Sequence, residues 1–301
     1  MYDEKTTGKW IEVEGNQMIV TAGIFCLFIA AGLLLRSEYE KEQLSIETIA
    51  LKNHKISRER RILFLSDLHN HEFGKNNQKL IDAVNQINPD LIIAGGDMLV
   101  SKGMADTAVP FDLLKQLKDR YPVICGNGNH ENRMQWERSV YGQQYEHYRD
   151  SLRDLGIIVL ENDTVRIGED LAVTGIDLEP VFYKKFSHAE LTGPEIEKKV
   201  GKAAKEQFQV LLCHSPLYFG GCRDWGADLT LSGHFHGGTI RIPFLGGVMT
   251  PQFQFFNPYC GGFFKKEDKY MIVSRGLGTH SINVRLNNKP QLVVVDLKPK
   301  S

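Results

Sequence analysis

Short apolar runs of strand length recur along the chain and alternate with stretches of helical periodicity. The runs are "ILFL" from residue 62, "LIIA" from 91, "PVIC" from 122, "VLLC" from 210, "LTL" from 229 and "MIV" from 271. Between two of them, in "NQKLIDAVNQIN", the residues Leu80, Ile81, Val84 and Ile87 recur at the spacing of one helix face. This alternation predicts an α/β sandwich.

Polar residues that can bind metal ions follow most of these runs. The endings are "SDLH" after the run at 62, "GGD" after 91, "GNGNHE" after 122, "HSP" after 210 and "SGHFH" after 229. In α/β sheets, ligands bind beyond the carboxyl ends of the strands, where the loops converge. We therefore expect the Asp, His and Asn side chains of these endings to form one site.

Two of the endings share the same spacing of potential ligands. Asp67 is two residues before His69, and His234 is two residues before His236. At an extended strand end, residues i and i+2 point to the same side, so each pair can direct its side chains to one point. We therefore expect each pair to contribute to a metal site.

Further residues extend this ligand set without any cysteine. Asp97 has two carboxylate oxygens and can bridge two ions, Asn129 offers a neutral carbonyl oxygen, and His214 adds an imidazole nitrogen. Mixed carboxylate, amide and imidazole ligation suits Mn, Fe, Zn or Mg better than a structural zinc held by thiolates. The sequence therefore predicts a centre of two divalent metal ions, of unspecified identity.

The charge of such a centre points to a phosphate ester as substrate. Two divalent cations contribute four positive charges, while Asp67, Asp97 and a bridging hydroxide subtract three. The centre therefore attracts an oxyanion, and ions about 3.5–4 Å apart can generate the hydroxide and stabilise a phosphoryl group in an in-line displacement. His130, next to Asn129, is then available to donate a proton to the leaving oxygen.

The order of these motifs resembles that of a known family. "DLH", "GGD", "GNGNHE", "CHSP" and "GHFH" together resemble the motif series of the calcineurin-like metallophosphoesterases, from Asp67 to His236. The resemblance implies a four-layer α/β/β/α sandwich, with His130 as the catalytic acid. It also implies that one metal is held by Asp67, His69, Asp97 and His236, and the second by Asp97, Asn129, His214 and His234.

Segments outside these motifs are similar to one branch of that family. "GHFHGGTIRIPFLGG" and the C-terminal "QLVVVDL", with the apolar N-terminal segment, are similar to bacterial membrane-associated phosphodiesterases, which are grouped with UDP-2,3-diacylglucosamine hydrolases. The similarity implies attack of a metal-bridging hydroxide on a phosphorylated lipid, a UDP-linked lipid sugar or a cell-envelope component, and hence a role in lipid metabolism. The alternatives are a phosphomonoesterase using the same site and a non-catalytic metal-binding scaffold of the same fold.

The chain departs from the family pattern near the catalytic histidine. In the protein-phosphatase branch, an aspartate three residues after the bridging aspartate supports this histidine, but here that position is Val100. The sequence therefore leaves open what orients His130, with Glu131 as one candidate. "GNGNH" also offers Asn127 as an alternative to Asn129.

An uncharged segment near the N-terminus, "MIVTAGIFCLFIAAGLLL" from Met18 to Leu35, predicts a membrane anchor. At about 1.5 Å per residue it spans roughly 27 Å as a helix, close to the ~30 Å hydrocarbon core of a bilayer. A cleaved signal peptide or a buried core helix are the alternatives. The basic residues on the two sides of the segment are balanced, so the sequence does not predict on which side of the membrane the domain lies.

We predict a cell-membrane protein with a tail (1–17), an anchor (18–35), a solvated linker (36–43) and a phosphoesterase domain (44–301).

Composition argues against several other classes of protein. Lys and Arg number 36 against 37 Asp and Glu, so the formal net charge of -1 disfavours a nucleic-acid partner. The 5 cysteines show no CxxC spacing and predict neither a disulfide scaffold nor a zinc-binding module. The expected partners are a phosphorylated small molecule or lipid and the membrane itself.

His71 and His280 are weaker candidates for the site, and Arg275 and Arg285 are expected to form structural salt bridges.

Overall fold

The computed structural model describes residues 4–185, 187–279 and 282–300. The helices are α1 (Glu4–Lys41), α2 (Gln78–Ile87), α3 (Ala108–Lys118), α4 (Asn129–Trp136), α5 (Arg138–Tyr141), α6 (Gln144–Asp154), α7 (Gly193–Val200) and α8 (Phe219–Trp225). Short 3-10 turns cover Lys75–Asn77, Pro180–Tyr183, Pro216–Tyr218, His236–Gly238 and Pro258–Cys260. The strands are β1 (Ser45–Asn53), β2 (Arg60–Leu65), β3 (Leu91–Ala94), β4 (Val123–Gly126), β5 (Ile158–Leu160), β6 (Asp163–Ile167), β7 (Leu171–Gly175), β8 (Phe208–Leu212), β9 (Leu229–Ser232), β10 (Arg241–Ile242), β11 (Gly246–Gly247), β12 (Gly262–Lys266), β13 (Lys269–Val273) and β14 (Gln291–Pro299).

The described strands form two large mixed sheets and one small hairpin. The first sheet has the order β1-β14-β2-β3-β4-β5, and the second has the order β12-β13-β9-β8-β7-β6. In the first sheet β2, β3, β4 and β5 run parallel, and in the second β7, β8, β9 and β13 run parallel. The hairpin pairs β10 with β11. The carboxyl ends of both parallel sets carry the polar endings seen in the sequence.

The two sheets pack face to face, and helices cover their outer faces. Along β2, Ile62 and Phe64 belong to the core between the sheets, together with Val210 of β8. Leu63, on the opposite face of the same strand, packs in the core that contains Leu80 of α2. This follows from the two-residue period of a strand. A further core lies between the second sheet and helices α7 and α8, and the predicted α/β/β/α sandwich is confirmed.

The apolar runs predicted as strands all form strands of these sheets, and the predicted helix forms as α2. Its apolar residues Leu80, Ile81, Val84 and Ile87 are all buried. The C-terminal β14 is the longest strand of the first sheet together with β1, and it inserts between β1 and β2. β14 is buried along most of its length and so lacks the polar alternation of a half-buried strand, whereas β1, at the edge of the sheet, alternates between partly buried and exposed residues.

The N-terminal helix α1 is a continuous helix that extends beyond the predicted anchor. Within the described chain, one helical segment, Val20–Lys41, is long and apolar enough to cross a membrane, and 6% of its apolar window is buried. The predicted solvated linker is instead its last turns, in which Ser37, Glu40 and Lys41 are buried. These side chains contact the domain, since Ser37 Oγ accepts from the Arg285 N–H at 2.9 Å. Arg36, Glu38 and Tyr39 are exposed, so the segment is solvated on one side and packed on the other.

Candidate metal centre

The polar strand endings meet at one edge of the sandwich, where the carboxyl ends of both parallel sets converge. Asp67 and His69 follow β2, Asp97 follows β3, His214 follows β8 and His234 follows β9. Within the described residues, three groups have ligand atoms no more than 4.8 Å apart: Asp67, His69 and His236; His69, Asp97 and His130; and Asp97, His214 and His234. The first two groups share His69 and the last two share Asp97. The predicted aspartates and histidines therefore form two joined clusters, one with Asp67, His69 and His236 and one with Asp97, His214 and His234.

Interatomic distances show how closely these clusters join. His236 Nε2 lies 3.5 Å from Asp67 Oδ1 and 3.1 Å from His69 Nε2. His214 Nε2 lies 3.2 Å from Asp97 Oδ2 and 3.6 Å from Asp67 Oδ1. His69 Nε2 lies 3.8 Å from Asp97 Oδ2. The two carboxylates therefore lie between the imidazoles of both clusters.

The backbone that carries these side chains is not the extended strand end that the spacing suggested. β9 ends at Ser232, and both histidines of "GHFH" lie beyond it. Left-handed backbone occurs at Asp67 (φ 54°), His69 (48°), Asp97 (51°), His234 (68°) and His236 (49°). Left-handed residues turn the chain within one peptide, so His234 and His236 join different clusters instead of pointing to one position. Such conformations cost of order 1–3 kcal/mol each and are concentrated at functional sites.

Glycines allow the loops to approach the aspartates closely. A Cβ on Gly233 would lie 2.2 Å from Asp67 Oδ2, and one on Gly128 would lie 2.3 Å from Asp97 Oδ1. The carboxylates also accept backbone N–H groups at this contact. Asp67 Oδ1 accepts from His234 N at 3.0 Å, and Asp97 Oδ1 accepts from His130 N at 2.8 Å. Both carboxylates are thus held in place by the loops that carry the imidazoles.

Carbonyl groups orient two of the imidazoles toward the aspartates. His214 Nδ1 lies 2.9 Å from the Gly95 carbonyl, and His236 Nδ1 lies 3.3 Å from the Gly278 carbonyl. A proton on Nδ1 satisfies the carbonyl and leaves Nε2 available as a ligand. Among the residues described, His234 Nε2 and Asn129 Oδ1 are buried and have no hydrogen-bond partner. Nitrogen and oxygen donors in this state fit a divalent metal ion.

The electrostatics of the site show why it favours added positive charge. Burial raises the pKa of Asp97, but His214 and His130 outweigh burial and hold it well below its usual range. Burial lowers the pKa of His214, but Asp97 and Asp67 outweigh that effect and raise it to about 10. Burial and the neighbouring His214 lower the pKa of His234 well below its ordinary value. The carboxylates therefore hold a proton on an imidazole that a metal ion would have to displace.

Comparison with known proteins identifies the family. The family model described as calcineurin-like phosphoesterase matches residues 60–238, which include every predicted ligand. The chain belongs to the calcineurin-like phosphoesterase family. Family membership and the cluster of aspartates and histidines together support a metal-dependent phosphoesterase.

Relatives within this phosphoesterase family cover most of the chain. It is 26% identical over 245 residues to the uncharacterized metallophosphoesterase YkuE of Bacillus subtilis, covering 79% of each chain. It is 28% identical to the phosphodiesterase YaeI of Escherichia coli, over 79% of this chain and 82% of that protein. It is 27% identical to a transmembrane protein with metallophosphoesterase domain of Danio rerio, over 79% of this chain and 53% of that protein.

The phosphoesterase has an unexpected group beside the candidate acid His130. The Ser101 N–H donates to His130 Nδ1 at 2.9 Å, and Ser101 Oγ lies 3.0 Å from the same nitrogen. Glu131, which the sequence offered for this role, instead accepts the N–H groups of Asp97 at 2.8 Å and of Gly128 at 2.9 Å. Ser101 was missed because a backbone N–H has no residue-type signal in a sequence.

The structure also separates the two asparagines of "GNGNH". Asn127 donates to Tyr145 Oη at 2.7 Å and to Asp177 Oδ1 at 3.2 Å. Its side chain is therefore engaged in a polar cluster beneath the site. The buried Oδ1 of Asn129 makes Asn129 the better candidate ligand.

The weaker candidates lie outside the clusters or outside the described residues. His71 Nε2 lies 3.4 Å from Glu42 Oε1, and His280 is not among the described residues. Arg275 lies 3.8 Å from Glu47, as expected of a salt bridge. The guanidinium of Arg285 instead donates to main-chain carbonyls, including that of Gly278 at 2.6 Å, so its role is to hold the loop that contacts His236.

Proposed function

We propose that this protein is a membrane-anchored phosphodiesterase that holds two divalent metal ions and hydrolyses a phosphorylated lipid, a UDP-linked lipid sugar or another cell-envelope component. The proposal rests on two clusters of ligands that are joined through Asp67 and Asp97, with His130 next to Asp97. A single structural ion would need only one of these clusters. Two clusters sharing buried carboxylates suit an in-line attack on a phosphate ester.

Each residue has a distinct role in this proposal. One ion would be held by Asp67, His69, Asp97 and His236, and the other by Asp97, Asn129, His214 and His234. Bound ions would activate the attacking water and neutralise charge on the phosphoryl group. Because the Ser101 N–H occupies His130 Nδ1, the neutral ring carries its proton on Nε2 and can pass it to the leaving oxygen.

Diester specificity and a lipid substrate are supported by features beyond the metal ligands. A relative with 28% identity is named a phosphodiesterase, and another is named a transmembrane protein. The apolar helix would keep the site near the bilayer, where lipid phosphates are concentrated. A diester has two substituted phosphate oxygens and therefore a single negative charge, which suits a centre whose net charge is near plus one.

Hydrolysis of model esters tests the reaction. The full chain in detergent is stripped of metal with a chelator and resupplied with Mn²⁺, and its rates on an aryl phosphodiester and the matching monoester are compared. We expect metal-dependent cleavage with a preference for the diester. Asp97→Ala should abolish turnover and lower metal binding, whereas Asp82→Ala, an exposed aspartate of α2, should change neither.

Metal stoichiometry separates the remaining possibilities. Elemental analysis of the resupplied protein should give two ions per chain, and His234→Ala should lower that number to one. A monoester preference would identify a phosphomonoesterase using the same site. Two bound ions without turnover of either ester would refute the enzyme proposal and favour a metal-binding scaffold.

A further inference from the structure

The segment that follows the motif "GHFH" along the chain exposes several large apolar side chains to solvent. We call residues 240–256 the apolar loop; it contains the β10–β11 hairpin and a following turn. Its exposed apolar residues are Ile242, Phe244, Leu245, Phe253, Phe255 and Phe256. Phe244 is fully exposed, and Leu245 and Phe255 are each 65% exposed. Six exposed large apolar side chains within one segment of 17 residues indicate an interaction surface.

The backbone of the apolar loop holds three of these aromatic residues in an unfavourable conformation. Phe244 has a φ of 69°, Phe253 of 62° and Phe256 of 51°. Left-handed backbone is a genuine outlier for a bulky residue and persists only where the surrounding structure imposes it. The loop is fixed by main-chain bonds, since Phe256 N donates to Val248 O at 3.0 Å and Val248 N donates to Ile240 O at 2.9 Å. The exposed rings are therefore held outward by a hydrogen-bonded framework.

The base of the apolar loop is attached to the end of the apolar helix. Arg241 N donates to Leu286 O at 2.9 Å, and Asn287 Nδ2 donates to Arg241 O at 3.1 Å. Arg36, the first charged residue after the apolar part of α1, donates to Asn287 Oδ1. One asparagine therefore links the helix end to the hairpin.

This attachment fixes how far the loop lies from the helix end. Phe244 is three residues from Arg241, so its Cα lies at most about 10 Å from that of Arg241. If the apolar part of α1 crosses the bilayer, Arg36 lies at the boundary between hydrocarbon and headgroups. The exposed rings of the loop then lie within reach of that same boundary, where amphipathic and aromatic surfaces partition.

We propose that the apolar loop inserts into the interfacial region of the lipid bilayer, beside the point where α1 leaves the membrane. The proposal rests on the membrane anchorage proposed above and adds a second contact between the domain and the lipid. The anchor alone would let α1 and the domain packed on its last turns rotate together about the helix axis and tilt against the membrane. Two contacts at one end of the domain would fix the orientation of the metal centre relative to the membrane surface.

A cavity next to the metal centre has walls that suit a lipid-linked substrate in this orientation. Its volume is about 170 Å³, and its walls include His236 of the metal centre and the apolar Met249, Pro251, Phe253 and Ile282. Lys185 also borders it, with Nζ 4.0 Å from the centre of the Phe253 ring. An apolar wall shared with the loop, a cation and a metal ligand together fit a phosphoester whose apolar portion remains in the bilayer.

Spin labels on the full chain measure this insertion without requiring catalysis. In a Cys26→Ser background the remaining cysteines, Cys125, Cys213, Cys222 and Cys260, are buried. A label is placed by Leu245→Cys or Phe255→Cys, and the control label by Val140→Cys on α5, an exposed position. The protein is reconstituted in phosphatidylcholine and phosphatidylglycerol vesicles (3:1), and collision rates with oxygen and with a water-soluble nickel chelate are measured.

The two loop labels should collide more with oxygen and less with nickel than the Val140 label does. Equal accessibility to the nickel chelate at all three positions would overturn the proposal. So would a full chain that does not float with the vesicles in a density gradient. A functional arm compares rates on a vesicle-borne diester and a soluble aryl diester. In a Phe244→Ser/Leu245→Ser variant the ratio of these rates should fall roughly tenfold, and Val140→Ser should leave it unchanged. Loss of all hydrolysis with the loop labels still inserted would refute the phosphodiesterase proposal alone.

Discussion

The main-chain N–H of Ser101 donates to Nδ1 of His130, and the Ser101 hydroxyl oxygen lies 3.0 Å from the same nitrogen. An N–H donor at Nδ1 requires that nitrogen to be unprotonated, which places the proton of the neutral ring on Nε2. Ser101 directly follows Val100, the residue that replaces the supporting aspartate of the protein-phosphatase branch. Ser101 therefore acts as a positioning residue for the candidate acid, at the place in the chain next to Val100.

Removal of the Ser101 hydroxyl should weaken proton donation selectively. A hydrogen bond contributes about 0.5–1.5 kcal/mol, so Ser101→Ala should lower kcat by about 2–10-fold and leave KM unchanged. The decrease should be largest for aryl phosphodiesters with poor leaving groups, because these need the proton most. Ser101→Thr keeps a hydroxyl and should retain more activity. A series of leaving groups measures the effect, and an equal decrease across the series would contradict this role.

Gly233 should not tolerate even a methyl group. A Cβ there would lie 2.1 Å from Ser66 Oγ and 2.2 Å from Asp67 Oδ2, so Gly233→Ala must displace the carboxylate. We expect a loss of Mn²⁺ affinity of about 10–100-fold, the usual range for a disturbed ligand environment. Gly220→Ala is the matched control, since a Cβ there meets nothing within 4 Å and the residue lies in α8. Equal Mn²⁺ affinity of both variants, by calorimetric titration, would refute the prediction.

Arg285 should influence the metal centre through the loop it holds. Its buried guanidinium donates to the carbonyls of Arg275 at 3.0 Å, Gly276 at 3.1 Å and Gly278 at 2.6 Å. A lysine ammonium cannot reproduce the planar fork that reaches several carbonyls. Arg285→Lys should therefore weaken Mn²⁺ binding by at least about tenfold, because Gly278 also contacts His236. Arg275→Lys is the comparison variant. Unchanged Mn²⁺ binding in Arg285→Lys would show that the loop keeps its position without the guanidinium.

The sequence predicted those parts of the structure whose signal is local. The runs at 62 and 91 became buried strands because a continuous apolar run between polar endings has few other ways to be buried. The convergence of Asp67, Asp97 and His214 followed from the rule that ligands gather at carboxyl strand ends. Left-handed backbone at His234 was not predictable from spacing, because it depends on contacts with a loop that is distant in sequence.

The parts that the sequence missed depend on partners far along the chain. The charged neighbours of Glu40 predict a solvated segment, yet its carboxylate accepts from the Asn288 N–H at 3.1 Å, 248 residues away. Ser101 orients His130 through its main chain, which every residue type other than proline could supply. A sequence shows which groups need partners, but only the fold shows which partners they have.

A buried ion pair between the start of β2 and the residue before β7 should control stability in acid. Arg60 donates to Asp170 with Nη1–Oδ2 at 2.8 Å, the Ser57 hydroxyl donates to the same carboxylate at 2.6 Å, and both charged side chains are 5% exposed. The neighbouring pair, Arg61 with Asp296, lies at 2.9 Å with side chains 47% and 17% exposed. The two pairs differ in burial more than in distance, so they form a matched comparison.

Asp170→Ala should destabilise the protein by about 3–5 kcal/mol, because it leaves Arg60 buried without its partner. Asp296→Ala, at the more exposed pair, should cost about 1 kcal/mol or less. The hydrogen bonds from Arg60 hold the pKa of Asp170 below its usual range. The stabilisation is therefore complete above the unfolded pKa of about 3.9 and is lost as the pH falls below it toward the native pKa. Urea unfolding of the full chain in detergent at pH 7 and pH 3.5 measures the free energy of unfolding of both variants. An equal loss of that free energy in the two variants would contradict the assignment. So would a loss in Asp170→Ala that does not depend on pH.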